Sequence, residues 1–233
     1  MSVLVRRVVA EFIGTAFLVM AVVGSGVMAT RLSPDDVGLQ LLQNSLATGA
    51  ALVALIVALQ PVSASFNPVV TLVERALGML DTRTAAGLVG AQFAGGLAGT
   101  IAANLMFGLD AVTVSTQERT GAGLWLGEVI ATVGLLLVVF GTVRSGRADR
   151  VAFAVGGYIA AAYWFTSSTS FANPAVTLAR TVTDSFAGIA PSSVPAFILA
   201  QLLGGAAGYV LVRFLYPSFT NPAAVADDRK VLS

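Results

Sequence analysis

The sequence predicts an all-α membrane protein of six transmembrane helices plus two re-entrant half-helices, built as an inverted tandem repeat. Three observations predict it. Of 233 residues, 56% are hydrophobic and only 11% charged, with a mean hydropathy of +0.85, which is too little charge to cover a globular surface in water. Six apolar runs follow one another with short connections, in a chain whose apolar share suffices for about six crossings of ~20 residues each. Three blocks of sequence recur, in the same order, in the two halves of the chain.

The runs lie near 8–29, 39–59, 85–107, 124–143, 151–165 and 194–215. Arg6 and Arg7 precede the first like the start of a secretory signal. The run is too long for a signal core, though, and Glu11 interrupts it, so it reads as a retained helix. With the N-terminus placed in the cytoplasm, Arg6, Arg7, Arg75, Arg83, Arg144, Arg147, Arg150, Arg213, Arg229 and Lys230 fall inside. Arg31, Arg119 and Arg180 fall outside. This asymmetry predicts a multi-pass protein of the cell's inner (plasma) membrane with both termini cytoplasmic.

The repeat organises the chain further. The block around Glu11, Ala10-Glu11-Phe12-Ile13-Gly14-Thr15, resembles Gly127-Glu128-Val129-Ile130-Ala131-Thr132. Ser65-Phe66-Asn67-Pro68 matches Ser170-Phe171-Ala172-Asn173-Pro174 with one inserted residue, and Ala91-Gln92-Phe93-Ala94-Gly95-Gly96 matches Ala200-Gln201-Leu202-Leu203-Gly204-Gly205. Each copy carries three spans, and an odd number makes the second copy enter the membrane from the opposite side. The expected organisation is a single domain over 1–233, with repeat one at about 1–115, repeat two at about 116–216 and a cytoplasmic tail at 217–233. The glycine groups lie inside apolar spans and lack a P-loop lysine, so they read as close helix packing.

The functional signal is Asn67-Pro68 and Asn173-Pro174, each followed by an apolar stretch too short to span. Asn caps a helix by satisfying an exposed N–H, and Pro is preorganised for the first helical position. Half-helices are therefore expected over 68–77 and 174–182, entering from opposite faces and meeting N-terminus to N-terminus. Each end carries about +0.5 of an elementary charge. Two such ends, with two carboxamide donors between apolar walls, suit a neutral hydrogen-bonding solute and oppose a cation.

The duplicated Asn-Pro loops, the equivalent acids Glu11 and Glu128, and the six-plus-two organisation resemble the major intrinsic proteins, the aquaporins and aquaglyceroporins. The run from Ser170 through Asn173-Pro174-Ala175-Val176 to Arg180 is most similar to bacterial aquaglyceroporins associated with arsenic resistance. The resemblance implies an aquaporin-like homotetramer with a pore in each protomer, Asn67-Pro68-Val69 and Asn173-Pro174-Ala175 as its pore motifs, and Glu11 and Glu128 as supports for the loops.

Two departures from the family pattern stand out. Val69 replaces the usual Ala, and Val176 stands where most of the family has an arginine that narrows the outer constriction. Arg180 lies one helical turn further on and is not expected to substitute. The resemblance carries the other constriction positions onto Thr48, Ser170 and a residue within 158–161, assigned as Ile159. Members selective for water commonly use histidine with arginine there, and glycerol facilitators aromatics with arginine. The expected filter is thus wide and arginine-free, passing glycerol-like polyols, undissociated arsenite and water.

Other functions find less support. With no Cys and no His, thiol chemistry, imidazole catalysis and Cys or His metal sites are excluded, and no cofactor is expected. A net charge of +1 argues against nucleic acid, leaving small neutral solutes and membrane lipid as partners. The rival reading is an inverted-repeat secondary transporter coupled to protons through Glu11 and Glu128. A third Asn-Pro, at Asn221-Pro222, leads into a charged tail and reads as a simple turn.

Overall fold

The computed structural model describes residues 2–217; the expected tail and the Asn221-Pro222 turn lie outside the described residues, apart from Pro217. Eight α-helices follow in order among the described residues: α1 (Val3–Leu32), α2 (Val37–Leu59), α3 (Pro68–Ala76), α4 (Thr82–Met106), α5 (Ala122–Arg144), α6 (Val151–Phe165), α7 (Pro174–Ala179) and α8 (Val194–Leu215). There are no strands among those residues. Five of the helices are long and apolar enough to cross a membrane alone. The sixth span, α6, has 15 residues; a 3-10 turn at Ala148–Arg150 leads into it, and the extended entry to the second half-helix follows it. The helices outrun the apolar stretches of sequence because hydropathy marks the bilayer core, whereas backbone hydrogen bonding continues into the interfacial layer.

The caps follow local chemistry. Ser2 accepts from the Val5 amide, Asp36 from Leu39 at 2.8 Å and Asp81 from Thr84 at 2.9 Å, each satisfying an amide the helix leaves unpaired. The two half-helices begin at Pro68 and Pro174, where the missing N–H costs nothing. The second tightens after Ala179 into a 3-10 turn over Arg180–Val182.

Glycines set the helix contacts. α1 packs on α4, and α5 on α8. A Cβ on Gly95 or Gly99 would run into the backbone of Phe12 or Ala16, and one on Gly204 would sit 2.7 Å from the Val129 carbonyl oxygen. α2 crosses α6 where a Cβ on Gly49 would lie 2.9 Å from the Gly156 oxygen, and one on Gly156 would lie 2.6 Å from the Gly49 oxygen. That contact is reciprocal, so it lies on the pseudo-two-fold relation between the repeats. The half-helices sit between the repeats: α3 and α7 each pack on both α4 of the first repeat and α8 of the second.

Polarity is arranged inside out. Glu11, Gln92, Glu128, Gln201, Thr71 and Thr177 are fully buried. Large apolar side chains such as Phe153, Val210 and Phe214 stay exposed, as a lipid-facing surface requires.

Candidate functional site: the paired half-helices and the cavity between them

Each half-helix starts at the centre of the fold because a buried acid holds the residues before it. Glu11 accepts from the amides of Ser65 at 2.8 Å and Phe66 at 2.7 Å, and from the Ser63 hydroxyl at 2.6 Å. Glu128 accepts from the amides of Phe171 at 2.9 Å and Ala172 at 2.8 Å. These loops have no regular secondary structure to satisfy their N–H groups at this depth, and the carboxylates do so instead. They also hold Phe66 and Ala172 at φ 48° and 47°, a left-handed conformation that side-chain-bearing residues adopt only when their surroundings enforce it.

The same bonds correct the pairing of the repeats. The sequence match aligned Phe66 with Phe171. In the structure the two amides immediately before each Asn are bound, so Phe66 corresponds to Ala172 and Ser65 to Phe171, and the inserted residue lies further upstream.

The two asparagines are locked to each other's loops. Asn67 accepts from the Val69 amide at 2.9 Å and donates through Nδ2 to the Ala172 carbonyl at 2.7 Å. Asn173 accepts from the amides of Ala175 at 3.0 Å and Val176 at 3.3 Å, and donates to the Phe66 carbonyl at 2.7 Å. A carboxamide nitrogen carries two hydrogens. One of each pair crosses to the other loop, and both asparagines line the adjoining cavity.

Gln92 and Gln201 complete this framework, although sequence reasoning gave them no role. Gln92 donates from Nε2 to Glu11 at 2.7 Å and to the Thr71 hydroxyl at 2.9 Å. Gln201 repeats this with Glu128 at 2.6 Å and Thr177 at 2.8 Å. Each glutamine ties its half-helix to the acid beneath it. Their signal was present in the repeated Ala-Gln pairs, which had been read only for the glycines that follow.

A cavity of about 270 Å³ lies between the loops and the long helices. Toward the face where the chain begins, Arg7, Gln60, Ser63, Ser65 and Glu74 line it. Through the middle the wall is Leu18, Val22, Leu52, Ile56, Leu135, Val139 and Val155, with Asn67 and Asn173 as its polar points. Toward the far face it is lined by Thr48, Ile159, Tyr163, Ser170, Phe171, Val176 and Arg180. All four expected filter residues, Thr48, Ile159, Ser170 and Val176, therefore share one wall. Of the window 158–161 only Ile159 faces it; Tyr158 turns away to donate to the Ala131 carbonyl at 3.1 Å. Pro68, Val69, Pro174 and Ala175 are buried behind the lining. Val69 fits because Gly205 faces it: a Cβ there would come within 2.7 Å of Val69 Cγ1.

Glu11 and Glu128 are absent from the cavity wall. Their oxygens face loop amides, glutamine nitrogens and, at Glu11, the Ser63 hydroxyl, an arrangement that suits supports for the loops. The acid that does line it is Glu74, which accepts from the Ser65 hydroxyl at 2.9 Å; sequence reasoning passed over it.

The expectation of an arginine-free filter needs correction. Position 176 is valine, but Arg180 joins the same wall. Its guanidinium lies 3.5 Å above the centre of the Phe171 ring, and its Nε donates to the Ala187 carbonyl. Residues four apart share a helix face, and the Cα–Cβ bond leans toward the helix N-terminus. A long side chain at 180 therefore reaches back toward the depth of 176. Tyr163 is a second unforeseen residue of this neck, its hydroxyl 3.3 Å from that of Thr48.

The comparisons with known proteins agree with this geometry. The family model described as "Major intrinsic protein" matches residues 1–151 and again 145–231. The chain belongs to the major intrinsic protein family. Among its relatives, this major intrinsic protein is 50% identical over 213 residues to Aquaglyceroporin AqpS of Rhizobium meliloti (strain 1021), covering 91% of each chain. It is 29% identical over 236 residues to Aquaporin Z of Rhodopseudomonas palustris, covering 93% of this chain and 95% of that one. Its fold is similar to the X-ray structure of the aquaglyceroporin from Plasmodium falciparum, with a TM-score of 0.71 at 19% identity, covering 96% of this chain and 99% of that one. As a family member it is a transmembrane channel for small solutes and not an enzyme.

Proposed function

We propose that the chain is a passive channel for small uncharged hydroxylated solutes, namely glycerol-like polyols, undissociated arsenite and water. The observation that carries this reading is the cavity wall at Asn67 and Asn173: two amide donors set in the aliphatic middle stretch of the passage. A solute leaving water there keeps a hydrogen-bond partner at its oxygens while its carbon side meets aliphatic wall. An ion finds too few ligands to replace its hydration shell. Asn67-Pro68-Val69 and Asn173-Pro174-Ala175 act as the pore motifs. Thr48, Ile159, Ser170 and Val176 form the selectivity filter, and the small side chains at 48 and 176 make it permissive for polyols. The working unit is a homotetramer in the cell membrane with both termini cytoplasmic, each protomer carrying its own pore.

The test is a shrinkage-and-recovery assay in liposomes containing purified protein, with glycerol as the osmolyte, together with arsenite uptake by cells expressing the chain. The reading expects recovery with glycerol and accelerated uptake. Water permeability without either solute refutes it.

A further inference from the structure

We propose that Arg180 is the specificity-determining charge of the far neck, supplying from one turn beyond position 176 the cation barrier and solute donors that Val176 lacks. This rests on the channel reading above. Arg180 is 3% exposed, yet it lines the cavity. Two contacts fix its plane: the stack on Phe171 at 3.5 Å and the bond from Nε to Ala187. Its terminal nitrogens have no hydrogen-bond partner among the described residues. A guanidinium held on one edge, with its remaining donors facing a cavity, is built to meet something in that cavity.

The surroundings support this assignment. No ion pair to Arg180 occurs among the described residues; Glu128, whose oxygens are held by the loop amides and Gln201, acts on it only from a distance. Arg119 lies over the same Phe171 ring at 5.1 Å, but it is half-buried outside the cavity wall, donating to the Gly188 carbonyl at 2.9 Å and to the Phe186 carbonyl at 3.4 Å. That leaves Arg180 as the cation that lines the far neck, with Arg7 at the opposite end of the cavity. The guanidinium presents there a fork of donors and a full positive charge. That set suits a compact solute with adjacent hydroxyl groups and repels a cation arriving at the neck.

The chain contains no cysteine, so Arg180→Cys introduces a single thiol that can be recharged in the folded protein. In liposomes, Arg180→Cys is expected to raise ammonium and sodium leak by roughly tenfold or more over the wild type, as loss of one poorly screened charge implies. Reaction with a cationic methanethiosulfonate should restore exclusion, whereas the anionic reagent should not. Arg180→Lys should keep the barrier, and Val176→Arg should rescue Arg180→Ala. A thiol that cannot be labelled, or cation leak that ignores both the substitution and the sign of the added charge, overturns the proposal. Should the wild type itself conduct no neutral solute, the channel reading fails instead, so the two failures are distinguishable.

Discussion

Asn67 donates to the carbonyl of Ala172 at 2.7 Å, and its counterpart Asn173 returns the bond to Phe66 at the same length. Each loop is therefore held by the first residue of the other's half-helix cap. Replacing Asn67 with Ala removes a helix cap and a buried donor together, leaving the Ala172 carbonyl unpaired. The expected loss is about 2–4 kcal/mol of stability, with reduced flux even in the fraction that folds. Thermal unfolding in detergent and proteoliposome permeability measure the two effects. Asn173→Ala should behave alike, because the contacts are two-fold related.

The glutamines make the strongest new stability prediction. Gln92→Leu leaves Glu11 and Thr71 each short of a partner, at a cost of about 2–3 kcal/mol. Gln201→Leu should cost a similar amount through Glu128 and Thr177. Unfolding temperatures that stay at the wild-type value would show that the acids hold the loops unaided.

Glu128→Gln tests the supporting role against proton coupling. The carboxamide can still accept on its oxygen, but its nitrogen would face the donors of Phe171 and Ala172 or of Gln201. Lower stability and unaltered dependence on ion gradients are expected. A gradient-driven flux abolished by the substitution would favour the coupled transporter.

Helix packing predicts opposite outcomes at two glycines of α4. A Cβ at Gly99 has nowhere to go against Ala16, while Gly90 has no neighbour within reach. Gly99→Ala should lower stability by about 1–3 kcal/mol through overpacking. Gly90→Ala should be neutral or stabilising by up to about 1 kcal/mol. Thermal unfolding of the two variants side by side checks the contrast.

Val69 and Gly205 should be coupled. Val69→Ala opens a gap against Gly205, and the double variant with Gly205→Ala refills part of it. The single change is expected to cost about 1–2 kcal/mol, with the second recovering part of that loss. Strict additivity in a double-mutant cycle would mean that the two do not share a cavity.

What was legible in the sequence was what repeats or breaks a local rule. Asn-Pro at an expected membrane depth marked the half-helices, and an acid inside each of two equivalent spans marked the loop supports. Gln92 and Gln201 escaped because a buried amide on an apolar helix has no periodic signal; only the acid across the helix contact gives it a role. Arg180 escaped because spacing fixes a Cα position, whereas a guanidinium reaches several ångströms from it and leans toward the helix N-terminus. The repeat alignment slipped for a related reason. Matching Phe66 to Phe171 follows side-chain identity, while the fold conserves the position of two backbone amides relative to each acid.

The most direct test of the channel reading is stopped-flow permeation by purified protein in liposomes without any ion gradient, comparing glycerol with water. Glycerol should equilibrate at a rate set by protein density, and Val176→Arg together with Thr48→Trp should slow it while sparing water. Glycerol flux indistinguishable from protein-free liposomes, or flux that appears only when a proton or sodium gradient is imposed, would contradict it.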